Sequence, residues 1–167
     1  MSRDPANPDG YLEHISKCGP LNPIAESYLQ EGLKTYNSNC FKASAVMIGA
    51  ATESIILELR DILLKRIGEL GRPPSKDLED WRIKRVLDVI KEELDKHKRD
   101  MPNKLAEAFE AYWMAFIQQI RVVRNEVGHP SSIEPVTPDT VHASLLIFPE
   151  LFKLTSELKE WISTQYS

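Results

Sequence analysis

Apolar residues recur along this chain at helical spacing, and no stretch keeps the alternation of a half-buried strand. Asn22 is a helix-capping residue type, and Pro23 suits the first helical position. Ile24, Tyr28, Leu29 and Leu33 then form a stripe that stops at Asn37-Ser38-Asn39. A second helix is predicted over about 40–67. Its Ala45-Val46-Met47-Ile48-Gly49-Ala50-Ala51 run is apolar almost all round, which suggests a central, buried position. Gly68, Gly71 and Pro73-Pro74 end it.

A third helix is expected to open at Ser75, with Asp77 and Glu79 in its first turns. Trp81, Val86, Leu87, Ile90 and Leu94 would supply its buried side, and Lys96-His97-Lys98-Arg99 its basic end. A fourth helix is predicted over about 104–127, on the stripe Leu105, Phe109, Tyr112, Phe116, Ile120, Val123 and Val127. A proline-rich loop follows from His129. A last helical segment covers about 139–165, with Thr137 or Thr140 as cap and Pro149 expected to kink or split it. Residues 1–22, with three prolines and little periodicity, read as an irregular arm holding a turn of helix near 11–16. The prediction is therefore an all-α fold, an up-and-down bundle of four to five helices over residues 23–167.

Composition bounds what such a bundle does. A chain of 167 residues is long enough for one ordinary core, and 42% hydrophobic with 28% charged residues is the balance of a globular protein. The net charge of −4 gives no support for a duplex-binding protein, and no DNA partner is expected. Cys18 and Cys40 make neither a disulfide framework nor a zinc spacing. With no leader-like apolar stretch among the first residues and no run long enough to span a bilayer, a cytoplasmic protein without a membrane partner is expected.

Few catalytic schemes stay open. Gly68-Glu69-Leu70-Gly71 lacks the rest of a phosphate-binding loop. His14, His97, His129 and His142 are scattered without metal-ligand spacing, so neither a metal nor a cofactor is expected. What remains is the end of the fourth helix. At about 100° per residue, Arg124 falls on the rim of the apolar face, between Trp113 and Ile117. His129 follows Gly128, where the chain leaves the helix, and Pro130 forbids its continuation. A permanent guanidinium beside a group that titrates near neutrality suits phosphodiester chemistry on RNA. Imidazole exchanges protons with the 2′-hydroxyl or the leaving oxygen, and guanidinium stabilises charge on the phosphoryl oxygens. The same residues also read as ordinary helix termination.

The stretch Ile120-Arg121-Val122-Val123-Arg124-Asn125-Glu126-Val127-Gly128-His129-Pro130 resembles the signature of the HEPN superfamily (higher eukaryotes and prokaryotes nucleotide-binding). That signature is an arginine, commonly a polar residue next, then a histidine after a short gap. It is most similar to the stand-alone bacterial type reading Arg-Asn-x-x-x-His-Pro, and the long second helix with Glu53 inside an apolar run is similar too. The resemblance covers the helical body, and its specific part is some ten residues. It implies a homodimer in which two motif helices face each other across a composite cleft. It implies metal-independent cleavage of single-stranded RNA to a 2′,3′-cyclic phosphate, in a defence or stress response such as a toxin–antitoxin or phage-defence system. By position, Arg124 and His129 would be the catalytic pair and Asn125 a helper. Members silenced by nucleotidylation carry a tyrosine two residues after the histidine; Ser131 stands there in this chain, which departs from that regulated type.

Glu53 is expected to support the motif. A carboxylate on a buried helix should be paired or protonated, and Arg124 is an attractive partner. Trp113 and Arg121 are candidate substrate contacts, although core packing is the ordinary role of a tryptophan on an apolar stripe. The basic third helix, from Arg82 to Arg99, reads first as a solvated face of ion pairs and second as an RNA-steering surface. Two functions compete: a ribonuclease, and a non-catalytic helical module that binds a protein partner or a nucleotide.

Overall fold

The structure is a computed structural model that describes residues 3–128 and 136–167, with the backbone alone described at 121–128. Among the described residues there are six α-helices and no strand: α1 (Pro8–Cys18), α2 (Pro23–Asn37), α3 (Phe41–Glu69), α4 (Ile83–Lys96), α5 (Asn103–Gly128) and α6 (Pro138–Thr164). The all-α bundle is as expected from the periodicity. None of the described helices is long and apolar enough to cross a membrane.

The long α3 is the axis of the bundle and packs against α2, α4, α5 and α6. Its nearly all-round apolar character is the reason, because Ile48, Ile55, Ile56, Leu59 and Leu63 all lose contact with water. Gly32 lets α2 lie close to it. A Cβ there would meet Ile48 Cγ1 at 3.3 Å, and the Ser44 hydroxyl donates to the Gly32 carbonyl at 2.7 Å.

Helix ends follow the local chemistry. The Asn22 side chain accepts from the Ala25 N–H at 2.8 Å, and Thr137 accepts from Thr140 N–H at 3.2 Å, each just before a proline in the first turn. Helix α3 closes on Gly71 at φ 70°, with Gly71 N–H donating to Gly68 and Arg72 N–H to Ile67. Asn39, at φ 60°, closes α2 in the same way through Asn39 N–H to Tyr36 and Cys40 N–H to Thr35. Gly68 thus lies inside α3, and Gly71 alone makes the stop.

Three expectations need correction. The described part of the expected irregular arm, residues 3–22, is built around a helix, because Pro8–Cys18 packs on α6 with Tyr11 and Ile15 buried. Its cap is Asn7, which accepts from Gly10 N–H at 3.2 Å. The helix expected from Ser75 is divided into a short 3-10 turn, Lys76–Glu79, and α4. Asp80 is the cause, since its carboxylate takes the Arg82 N–H at 2.8 Å and so competes with helical bonding. Trp81 consequently faces water, 82% exposed, instead of packing in the core. Of the kink or split expected at Pro149, the split does not occur, and α6 runs on through it. The Leu145 carbonyl, which a proline at that position leaves without its helical donor, accepts from the buried Tyr11 hydroxyl at 2.6 Å.

Candidate functional site

The motif residues fall at the C-terminal end of α5. Arg121, Arg124 and Asn125 belong to its last two turns, and the helix continues through Gly128. Arg124 therefore precedes the final helical residue by about 6 Å along the axis. The side chains of Arg121, Arg124 and Asn125 lie outside the described residues, as do His129 and Ser131 altogether.

Upstream, the α5 stripe behaves as its spacing requires. Leu105, Phe109, Phe116 and Ile120 are buried. Trp113 joins them at 1% exposure, its ring 5.2 Å from Phe109 and 5.3 Å from Phe116. That enclosure corrects its candidacy as a substrate contact, because neither ring face is open to a base. Its indole N–H finds no acceptor among the described residues.

Helix α6 runs antiparallel to α5. Gln119, late in α5, donates to the Ser144 carbonyl early in α6 at 2.9 Å, and Leu105 lines a cleft with Trp161 at the other end. The start of α6 therefore lies at the motif end of the bundle. There the Tyr36 hydroxyl meets His142 Nδ1 at 3.1 Å, and Phe41 packs edge-on to Tyr36 at 5.9 Å. His142 thus has a hydrogen-bond partner within the bundle.

Glu53 is half-buried on α3 and faces a groove of about 590 Å³ between α2 and α3. Apolar walls from Ile24, Tyr28, Ala50 and Leu57 share this groove with Glu58 and Asp61. Glu58 is held by Lys159 at 3.0 Å and Asn22 at 3.2 Å, and Asp61 by Arg60 at 2.8 Å. The carboxylate of Glu53 thus borders an open groove, and its expected pairing with Arg124 falls outside the described residues.

A second polar cluster, carried by no sequence motif, lies at the opposite end. Tyr166 is fully buried just beyond α6, and its hydroxyl donates to Glu93 at 2.5 Å. The Arg72 guanidinium sits 5.2 Å over its ring, His97 packs at 4.6 Å, and Arg66 Nε donates to its carbonyl at 3.0 Å. Burial and the Glu93 hydrogen bond push the Tyr166 phenol up to about 12. Burial alone would raise Glu93, but hydrogen bonds from Tyr166 and Lys96 outweigh it and hold the carboxyl below its usual value. The bonds with Glu93 and Arg66 fasten the C-terminal segment to α4 and α3, so the cluster is a clasp.

The basic third helix is largely a solvated face of ion pairs. Arg82 pairs with Asp80, Arg85 with Asp77, Lys91 with Asp95 and Lys96 with Glu93. The Arg82 hydrogen bonds draw the Asp80 carboxyl down to about 2. Among the described residues no group of three or more His, Cys, Asp or Glu side chains comes together as a metal site. No family model matches the chain, and neither a curated protein nor a solved structure matches it.

Proposed function

We propose that the protein is a metal-independent endoribonuclease of HEPN type, cleaving single-stranded RNA at a cleft formed by two copies of the chain. The observation that carries this reading is the stretch Arg124-Asn125-Glu126-Val127-Gly128-His129, with its arginine in the last turns of α5 and its histidine directly after Gly128. An all-helical bundle with one long central helix agrees with it.

The chemistry uses two groups. His129 imidazole takes the proton from a ribose 2′-hydroxyl. The oxygen attacks the adjacent phosphorus, the bond to the 5′-oxygen breaks, and that oxygen leaves with a proton from an imidazolium, supplied by His129 of the second copy. Arg124 stabilises the charge on the non-bridging oxygens. Asn125 orients the histidine or binds phosphate. The products are a 2′,3′-cyclic phosphate and a 5′-hydroxyl, and DNA is inert because it lacks the nucleophile. The test is turnover of a labelled single-stranded RNA in excess chelator. Wild type should cleave, and Arg124→Ala and His129→Ala should each lose at least about a hundredfold in rate. Equal rates in all three would sink the proposal.

The net charge of −4 favours a second reading, a helical module that holds a protein partner or a nucleotide without turning it over. Under that reading His129→Ala leaves binding intact and no RNA is cut.

A further inference from the structure

Trp81 is out of place for a soluble bundle. It is 82% exposed, whereas Trp113 and Trp161 are 1% and 3% exposed. It is also held where it is. Leu78 before it and Ile83 after it are buried and pin both sides of the turn. The Asp80 carboxylate ties the Arg82 N–H, Nε and Nη2 at 2.8, 3.0 and 2.7 Å. Arg85 Nη2 reaches back to Asp77 at 2.6 Å. The turn is thus cross-linked by polar bonds while its one large apolar ring is left in water.

The surroundings select a partner chemistry. From Glu79 to Arg85 no apolar side chain other than Trp81 reaches the surface, since Ile83 is buried and the rest are charged. A tryptophan that anchors a protein interface normally sits in a patch of apolar neighbours that exclude water, and this one has none along its turn. The segment 72–85 instead carries five cations, Arg72, Lys76, Arg82, Lys84 and Arg85, against three carboxylates, in a chain of net charge −4. Lys76 and Lys84 are exposed and form no ion pair with any described residue. An open π-face in a segment that also carries uncommitted cations is what a flexible polyanion with unstacked bases requires.

We infer that Trp81 is a stacking platform for a base of single-stranded RNA, with Lys84 and Lys76 taking the adjacent phosphates. The choice of RNA rests on the ribonuclease reading above. The site itself is separate from Arg124 and His129, and serves grip and not bond cleavage. A single-stranded ligand follows from the geometry of one free ring, because a paired base keeps its faces inside the duplex.

The exposed indole is also its own probe, since the other two tryptophans are closed to solvent. The experiment titrates the full chain with a 2′-O-methyl oligoadenylate, which cannot be cleaved by 2′-hydroxyl attack, and follows tryptophan fluorescence. Binding should quench the emission. Trp81→Ala should abolish the quench and weaken affinity by about tenfold, measured by anisotropy of a labelled oligonucleotide, while Trp81→Tyr retains most of it. Lys84→Glu should weaken binding and flatten its salt dependence. Circular dichroism checks that each exposed variant is folded. Equal affinity of Trp81→Ala and wild type overturns the inference, as does absence of binding by wild type. Concentration-dependent self-association that shifts Trp81 emission without oligonucleotide also overturns it, by making a second copy the occupant. Cleavage of unmodified RNA is scored separately, so a chain that binds without cutting, or cuts with an unchanged KM in Trp81→Ala, tells the two readings apart.

Discussion

The Tyr11 hydroxyl donates to the Leu145 carbonyl at 2.6 Å, and Pro149 is why that carbonyl is available. In an uninterrupted helix Leu145 would accept from the N–H four residues on. Proline has none. A residue from α1 therefore completes the hydrogen bonding of α6 from across the bundle, and burial drives the phenol pKa far above its usual value.

Removing that hydroxyl should be costly in proportion to the orphan it creates. Tyr11→Phe is expected to lower unfolding free energy by about 1–3 kcal/mol, the usual result of leaving a buried acceptor unpaired. The cost should shrink when Pro149→Ala restores the missing N–H, so a double-mutant cycle by urea denaturation should give a coupling of the same sign. Independent, additive effects would separate the two residues.

Two glycines three positions apart should respond in opposite directions. Gly68 is inside α3, and a Cβ there meets nothing within 4 Å. Gly68→Ala should stabilise the protein by about 0.5–1 kcal/mol through helix propensity. Gly71 sits at φ 70° at the end of the same helix. Gly71→Ala should destabilise by about 1 kcal/mol, because the left-handed conformation penalises a Cβ. Thermal midpoints moving the same way in both variants would contradict this account of the α3 stop.

The Tyr166–Glu93 clasp makes a pH prediction with a defined sign. Tyr166 is raised in the fold to about 12, so its stabilisation is complete below the ordinary tyrosine range near 10 and is lost as pH rises toward 12. Glu93 is lowered, so its contribution is present above the ordinary glutamate range and is lost as pH falls below it. Tyr166→Phe should therefore flatten the alkaline limb of the urea-midpoint profile and remove part of the acid limb. An alkaline limb unchanged by the substitution would place the titration elsewhere.

Most of the bundle was legible because its helices announce themselves by period and cap. Asn22-Pro23 and Thr137-Pro138 mark α2 and α6 in the sequence and do so in the fold. The same signal stands at Asn7-Pro8, yet α1 is short, with a buried stripe of only Tyr11 and Ile15, and three nearby prolines masked it. Trp81 was misplaced for a different reason. Its spacing fits the α4 stripe, but the Asp80 side chain captures the backbone and ends that periodicity one turn early. Tyr166 lies past the last periodic residue, so only the three-dimensional meeting of α3, α4 and the C-terminal segment reveals its clasp. At the candidate site, the sequence pattern locates the motif on α5, and the described backbone carries that helix through Gly128. The placement of Glu53 on an open groove depends on how α2 packs, which periodicity does not encode.

The most direct test of the central claim is the chemistry of the ends left on a cleaved RNA. Single-stranded RNA is incubated with the full chain in excess chelator, and the products are weighed by mass spectrometry. The account predicts 2′,3′-cyclic phosphate and 5′-hydroxyl ends from wild type, none from His129→Ala, and no cut next to a 2′-deoxy residue. Products ending in a 3′-hydroxyl, undiminished cleavage by His129→Ala, or no cleavage by the folded wild-type protein would contradict it.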